Sequence, residues 1–490
     1  MFVLAGVFAL RLVLCFYGYD RRPLLTTPDE AIVQDAAVAL ARGEGWRATS
    51  FEGLEIADLY ANHPPLFVLV QGAIFKCFGF SPATLRLPGI VESLLATLLL
   101  GAILRSLLTA GLVDRFGALL AALLLLADPF VIVLARIGRM EHLAALLALA
   151  GLALVAGAVR GPQSSRRWLS AGALLGASCA THPAAVLYVI FFVALLWLRR
   201  RETGWGKSAV FLAVPAAVFV LIWIAAFGAR SAEAWQQLAR MARLGLPPTL
   251  GLGLCVRALT HHDLEAFKQV GGTAYLLVIV GWTLLLARAL RARSWGVWQP
   301  CLLALAVAAA VEIAVAGRLS LYLARTMLFV YLGVLHVAIG SSHLPRAGRR
   351  VALAGAGVFL AAQMALLAAY FVRLPQRWAA WSPARFDDLV RSIPASAKTA
   401  STFELWHAWR AAARPVRIID PSLPIDEIHW SQAPLSLEKY DAVIFSDATS
   451  GVMDAALAAG AFQPGTWSRE VRQLDEKHYT IFRRVGYSKD

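Results

Sequence analysis

Two neighbouring carboxylates, Asp29 and Glu30, stand just past the first apolar run, in the stretch Thr27-Pro28-Asp29-Glu30-Ala31. Charges beside a membrane helix are costly, so they mark function more often than charges on a soluble surface do. Adjacent residues project in different directions, so the two acids would act singly, one facing a cavity and one at a helix end. The same stretch also suits a plain helix start, with Pro in the first turn and negative charge at the positive end of the helix dipole. Further on comes Asn62-His63-Pro64-Pro65-Leu66. Its prolines stiffen the chain and fix where the next helix begins. An imidazole at that point can donate to phosphate or to a carboxylate, or serve the fold alone.

The cations form a second set. Arg11 lies inside the first apolar run, where it must snorkel or meet an anionic head group. Arg136 and Arg139 share a turn with Glu141 and His142, and mutual pairing is their expected fate. Arg240, Arg243 and Arg257 lie on a second outer loop, and Arg318 and Arg325 flank the start of a late span. A cation at a helix end is commonly only solvated. Several on one face with a carboxylate are more suggestive than any one alone. The run His261-His262-Asp263-Leu264-Glu265 has metal-ligand types but no closed zinc spacing. No metal ligand set is assigned, and a divalent cation stays open as a cofactor. There is no P-loop, no G-x-S-x-G and no dinucleotide fingerprint, which argues against ATP-driven transport by this chain alone.

The elements that must position these residues are membrane helices. The chain has 490 residues, 59% hydrophobic and 16% charged, with mean hydropathy +0.63. That is too apolar for a soluble enzyme of this size. Its five Cys form no C-x-x-C pair and read as small buried hydrophobes. Spans are expected at 2–18, 85–104, 117–135, 141–159, 168–182, 184–198, 208–228, 272–288, 299–317, 320–340 and 351–372, about 11 in all. The net charge of +15 sits mostly in short loops of this part, since residues 373–490 hold 15 Lys/Arg against 14 Asp/Glu. A nucleic-acid partner is therefore not indicated. The basic loops Arg105–Arg115, Arg160–Arg167, Arg199–Lys207, Arg288–Arg293 and Arg346–Arg350 each follow an even-numbered span, which puts them together on the cytoplasmic side. The N-terminus is then cytoplasmic. Two large outer regions follow, 19–85 and 229–271.

That parity holds only if the apolar run 64–78 does not span, so it reads as an interfacial or re-entrant helix. It also requires a break at Thr181-His182-Pro183. An amphipathic helix is expected at 231–244, with Trp235, Leu238 and Ala242 on one stripe. Beyond 372 the pattern changes. Strand-like runs Val416–Ile419, Ala442–Phe445 and Tyr479–Phe482 alternate with helix-like stretches 386–391 and 403–413. The expected architecture is an α-helical polytopic membrane domain, 1–372, followed by a small α/β extracytoplasmic domain, 373–490.

These motifs in this order resemble the GT-C glycosyltransferases, and among them bacterial relatives of protein O-mannosyltransferases and of the lipid A aminoarabinose transferase. The matching residues are Pro28-Asp29-Glu30, His63-Pro64-Pro65-Leu66, Phe78-Gly79 and Arg86-Leu87-Pro88, with the turns Arg136–His142 and Thr181-His182-Pro183 in keeping. The resemblance covers roughly residues 1–370. It implies a polyprenyl-phosphate sugar donor, transfer on the periplasmic face of a bacterial inner membrane, and a lipid, glycan or protein acceptor. Asp29 matches the position of the catalytic acid, with Glu30 beside it. His63 stands where many relatives carry Lys. The chemistry agrees. A phosphate leaving group is already charged and needs cations, not the second carboxylic acid of a glycoside hydrolase. Direct displacement with inversion is expected. A transporter or flippase of lipid-linked sugars is the rival reading, favoured by intramembrane charges such as Glu92 and Glu312. A non-catalytic envelope subunit is the other.

Overall fold

The computed structural model describes residues 2–19, 28–51, 55–126, 128–157, 164–198, 201, 204–244, 284, 323–342, 344–380, 383–419, 439–474 and 477–486. Two of the expected spans, 272–288 and 299–317, lie outside the described residues but for Leu284.

Helix α1 (Phe2–Phe16) leads to helices α2 (Pro28–Ala41) and α3 (Leu66–Phe78). Then come α4 (Pro82–Thr109), α5 (Arg115–Leu126), α6 (Pro129–Leu134), α7 (Glu141–Gly157), α8 (Ser165–Cys179), α9 (Val186–Leu198), α10 (Trp205–Phe227) and α11 (Ser231–Leu244). After the undescribed stretch follow α12 (Leu323–Ser341) and α13 (Arg346–Ala380). This is a multi-span helical membrane fold. Among the described residues Pro82–Thr109, Trp205–Arg240 and Arg346–Ala369 are long and apolar enough to cross a bilayer.

Local chemistry explains the boundaries. Ser81 caps α4 through a capping box with Thr84, and Pro82 sits at the first helical position. The 117–135 run is not one helix. It breaks at Asp128, whose Oδ1 accepts from Val131 N at 3.0 Å, and restarts at Pro129. The break at Thr181-His182-Pro183 is present, with a 3₁₀ turn at Pro183–Ala185. The run 64–78 forms the 13-residue helix α3, packed along α2. Helix α13 runs on to Ala380, past the expected end of the membrane domain.

The amphipathic helix α11 is present, but its buried stripe is set one residue earlier than the periodicity suggests. Ala234 and Gln237 are buried, whereas Trp235 is 53% exposed. Gln237 turns inward because it binds backbone of the first outer region, a preference that hydrophobic periodicity does not register.

The C-terminal part holds α14 (Pro383–Arg391), α15 (Trp406–Ala411), α16 (Ser450–Ala458) and five strands: β1 (Thr399–Thr402), β2 (Arg417–Ile419), β3 (Ala442–Ser446), β4 (Trp467–Leu474) and β5 (Lys477–Arg484). The sheet order is β2-β1-β3-β5-β4. The first three strands are parallel, with Ala400 opposite both Arg417 and Val443; β5 and β4 join antiparallel, with Ile444 opposite Ile481. One apolar core lies within the bundle, around residues such as Leu100, Leu125, Leu149 and Val334. A second is shared: Ala31, Ile32 and Tyr60 of the first outer region pack with Leu389, Trp406 and Tyr479 of the C-terminal part. The sheet domain is thus built onto α2.

Candidate active site

Helix α2 begins at Pro28, so Asp29 and Glu30 occupy its first turn, where the helix dipole favours anions. The next nine side chains, Ala31 to Ala39, are all buried. Two are polar. Gln34 Nε2 donates to the Gly138 carbonyl at 2.6 Å. Asp35 is fully buried, and its carboxylate accepts four hydrogen bonds. Ser50 N reaches Oδ2 at 2.9 Å; Ser50 Oγ and Trp406 Nε1 reach Oδ1 at 2.8 Å each, and Arg410 Nε reaches it at 2.6 Å. Arg410 Nη2 also binds Thr49 Oγ1. Asp35 was invisible as a site residue in the sequence, because its partners lie up to 375 positions away.

His63 sits at the start of the segment that leads into α3. Its Nδ1 lies 2.8 Å from Tyr60 Oη. Leu66 N donates to the Ala180 carbonyl at 2.8 Å, which draws the His-Pro-Pro segment to the 181–183 turn. That contact sets the His63 and His182 rings 6.5 Å apart between centroids. Two motifs more than a hundred residues apart thus meet at one place. The second outer region closes on the same segment. Gln237 accepts from Ala61 N at 2.5 Å and donates to the Leu59 carbonyl at 2.9 Å, and Arg230 Nη1 donates to the Asp58 carbonyl at 3.1 Å. Arg240, one turn past Gln237, is exposed.

The remaining candidates fall elsewhere. Arg243 lies in the last turn of α11 and Arg325 in the first turn of α12. Arg257, Arg318, Glu312 and the 261–265 run lie outside the described residues. Arg11 does not snorkel. It is fully buried in the bundle and gives Nη1 to the Leu125 carbonyl, in the last turn of α5, at 3.1 Å. Glu92 is also buried, on α4. Arg139 pairs with Glu141 at 2.9 Å as expected. Arg136 reaches instead to the end of α1, donating to the Leu14 and Tyr17 carbonyls at 3.3 and 2.6 Å. Arg86 donates to the Tyr19 carbonyl at 2.7 Å. The Arg of the Arg-Leu-Pro motif therefore binds the turn just past α1. Among the described residues no three His, Cys, Asp or Glu side chains gather as a metal site.

His407, on α15 beside Arg410, packs against Phe80 with centroids 4.8 Å apart. Burial, and next the positive charge of Arg86, push its imidazole down to about 3. It is neutral at physiological pH.

An acid-headed helix is thus packed between a helical bundle and a small α/β domain. Residues 62–226, from the His-Pro-Pro segment to the end of α10, match the family described as Dolichyl-phosphate-mannose-protein mannosyltransferase. No curated protein matches the chain in sequence. The fold is similar to that of ArnT from Cupriavidus metallidurans bound to undecaprenyl phosphate, with TM-score 0.66 at 14% identity over 99% of both chains. The apo oligosaccharyltransferase of Archaeoglobus fulgidus gives TM-score 0.58 at 12% identity, over 96% of this chain and 72% of its own. AglB of the same organism, in complex with an inhibitory peptide and a dolichol-phosphate, gives 0.52 at 14% identity, over 84% and 63%. The chain therefore shares the fold of these proteins and matches that family over about a third of its length.

Proposed function

We propose that the protein moves a sugar from a polyprenyl-phosphate donor to an acceptor hydroxyl on the outer face of a bacterial cytoplasmic membrane, with inversion. The observation that carries this is the fold shared end to end with a protein bound to undecaprenyl phosphate; the archaeal relative bound to a dolichol-phosphate supports it. The Asp29 carboxylate takes the proton of the acceptor hydroxyl, whose oxygen attacks the anomeric carbon. The bond from that carbon to the phosphate oxygen breaks, and polyprenyl phosphate leaves with the electron pair. The group that departs gains negative charge, so the demand is for donors and cations around it. His63 can meet that demand: in the tautomer whose Nδ1 accepts from Tyr60 Oη, Nε2 carries the ring proton and donates. Arg240, and with it Arg243, Arg257, Arg318 and Arg325, are the cations proposed for the same charge. Glu30 is the reserve base. A lipid, glycan or protein hydroxyl serves as acceptor.

The test is transfer by purified protein in lipid vesicles, from radiolabelled polyprenyl-phosphate sugars to membrane extracts, with Asp29→Asn alongside. Losing the base should slow transfer by about 10²–10⁴-fold in a folded variant. Unchanged transfer would remove Asp29 as the base and leave Glu30. No transfer from any donor, with movement of a lipid-linked sugar across the vesicle, would make the protein a transporter.

A further inference from the structure

We propose that Arg410 and Trp406 are positioning residues for the transfer reaction: through their bonds to Asp35, the C-terminal domain sets where α2 stands, and with it the backbone of Asp29 and Glu30. This rests on the reading above that an acid in the first turn of α2 is the base. Asp35 is six residues from Asp29 on one helix, roughly 9 Å along its axis at 1.5 Å per residue. After Pro28 the helix holds neither Gly nor Pro, so nothing in it absorbs a shift. A displacement at Asp35 is therefore carried to the first turn.

The attachment is directional as well as tight. Three donors from two different parts of the chain converge on Oδ1: the Ser50 hydroxyl, the Trp406 indole and the Arg410 guanidinium. Arg410 is itself 5% exposed and is held further by Thr49, while its carbonyl accepts from Arg42 Nη2 at 3.2 Å. On the other side Gln34 ties the helix to Gly138, and a side chain at Gly138 would sit 2.4 Å from Leu85 Cδ2 and 2.9 Å from Gln34 Nε2. Mere adhesion does not call for such a pair. The two parts already share an apolar core containing Trp406 and Trp409. Burying an ion pair carries a desolvation cost that packed apolar groups avoid; what it adds is a fixed register. The register fixed here is that of the helix bearing the acids.

The experiment uses the full chain in lipid vesicles and separates kcat from donor KM for Arg410→Gln, Arg410→Lys and Thr49→Val. The expected result for Arg410→Gln is a fall in kcat of about tenfold or more, since small misplacements of a reacting group are that costly. Donor KM should stay within about threefold, and the thermal transition should persist. Arg410→Lys keeps the charge but loses the fork, and should recover part of the rate. Unchanged kcat in a folded Arg410→Gln protein would overturn the proposal. If that variant does not fold, Thr49→Val takes its place. It removes only the hydroxyl that Arg410 Nη2 grips, and either a fall of about threefold in kcat at constant KM or no fall decides the matter. If the wild type itself transfers nothing, it is the glycosyltransferase reading that fails. Amide exchange over Ala31–Asp35 then judges the latch: faster exchange in Arg410→Gln supports it, and equal exchange removes it.

Discussion

Helices α2 and α10 are held by opposite means. Around α2 every side chain from Ala31 to Ala39 is buried, and its position is set by directional bonds through Gln34 and Asp35. Helix α10 presents Val210, Val220, Leu221 and Ile224 outward, each about half exposed or more. It is held to α8 by what is missing. A side chain at Gly176 would sit 2.5 Å from the Pro215 carbonyl and 2.8 Å from Val218 Cβ, and one at Gly172 would sit 3.2 Å from Val214. Gly172 and Gly176 are four apart, the spacing that lets two membrane helices approach along one face. Where lipid surrounds the pair, apolar contact with a neighbour gains little over contact with lipid, so close backbone packing decides. Where chemistry needs a helix in one place, hydrogen bonds with fixed directions decide.

The directional attachment of α2 depends most on Asp35. Asp35→Leu leaves the Arg410 guanidinium buried without its carboxylate, and should cost about 3–5 kcal/mol. Denaturant or thermal unfolding in detergent would read it, and a loss below about 1 kcal/mol, the range of exposed pairs, would mean the pair is not buried in solution. On the membrane side, Gly176→Ala forces α8 and α10 apart because the obstruction is backbone, which cannot rotate away. The expected cost is about 1–3 kcal/mol, the usual range for overpacking. A neutral Gly176→Ala would show that the two helices are not in contact there.

His407 sharpens the outer half of the comparison. Its folded value of about 3 lies below the unfolded 6.5, so the unfolded chain binds the proton first. Stability from this group is complete above about 6.5 and is lost as pH falls from there toward about 3. At pH 5 the loss is about 2 kcal/mol. His407→Phe keeps a ring against Phe80 and should flatten the stability profile between pH 7 and 5. An equally steep profile in that variant would assign the acid sensitivity to other groups.

How much of this was legible in the sequence depended on whether the signal was local. Pro28 with two acids marked the start of α2, and the helix does start there. Thr181-His182-Pro183 marked a break, and the chain breaks there. Strands β2, β3 and β5 each contain part of a β-branched or apolar run that was readable. Strand β1 is Thr-Ala-Ser-Thr, with no apolar run at all, yet all four residues are buried, since a parallel neighbour on each side supplies its hydrogen bonds. Strand β4 carries Arg469, Glu470 and Arg472, and is a strand because β5 pairs with it along its whole length. The Asp-Pro at 128–129 was a readable helix start, outweighed by the apolar run around it. Asp35 had no local signal. An acid in the middle of an outer helix reads as solvated until the fold brings Trp406 and Arg410 to it. His182 was readable as a turn, but its place beside His63 follows from the Leu66–Ala180 hydrogen bond.

The smallest effect tests the assumption behind the comparison, that the outer face of α10 is set by lipid rather than by protein. Leu221 is 66% exposed on a helix long and apolar enough to cross a bilayer. Leu221→Ala exchanges one apolar group for a smaller one against acyl chains, which fill the space that a protein neighbour would leave as a cavity. The change in stability should be within about 0.5 kcal/mol, as for substitutions away from packed features. Unfolding in detergent and in lipid would both be measured. A cost of about 2 kcal/mol or more, the size of a core truncation, would mean that this face is covered by protein. The contrast between a helix fixed by directional bonds and one held by close packing at small residues would then give way to two packed helices with different partners.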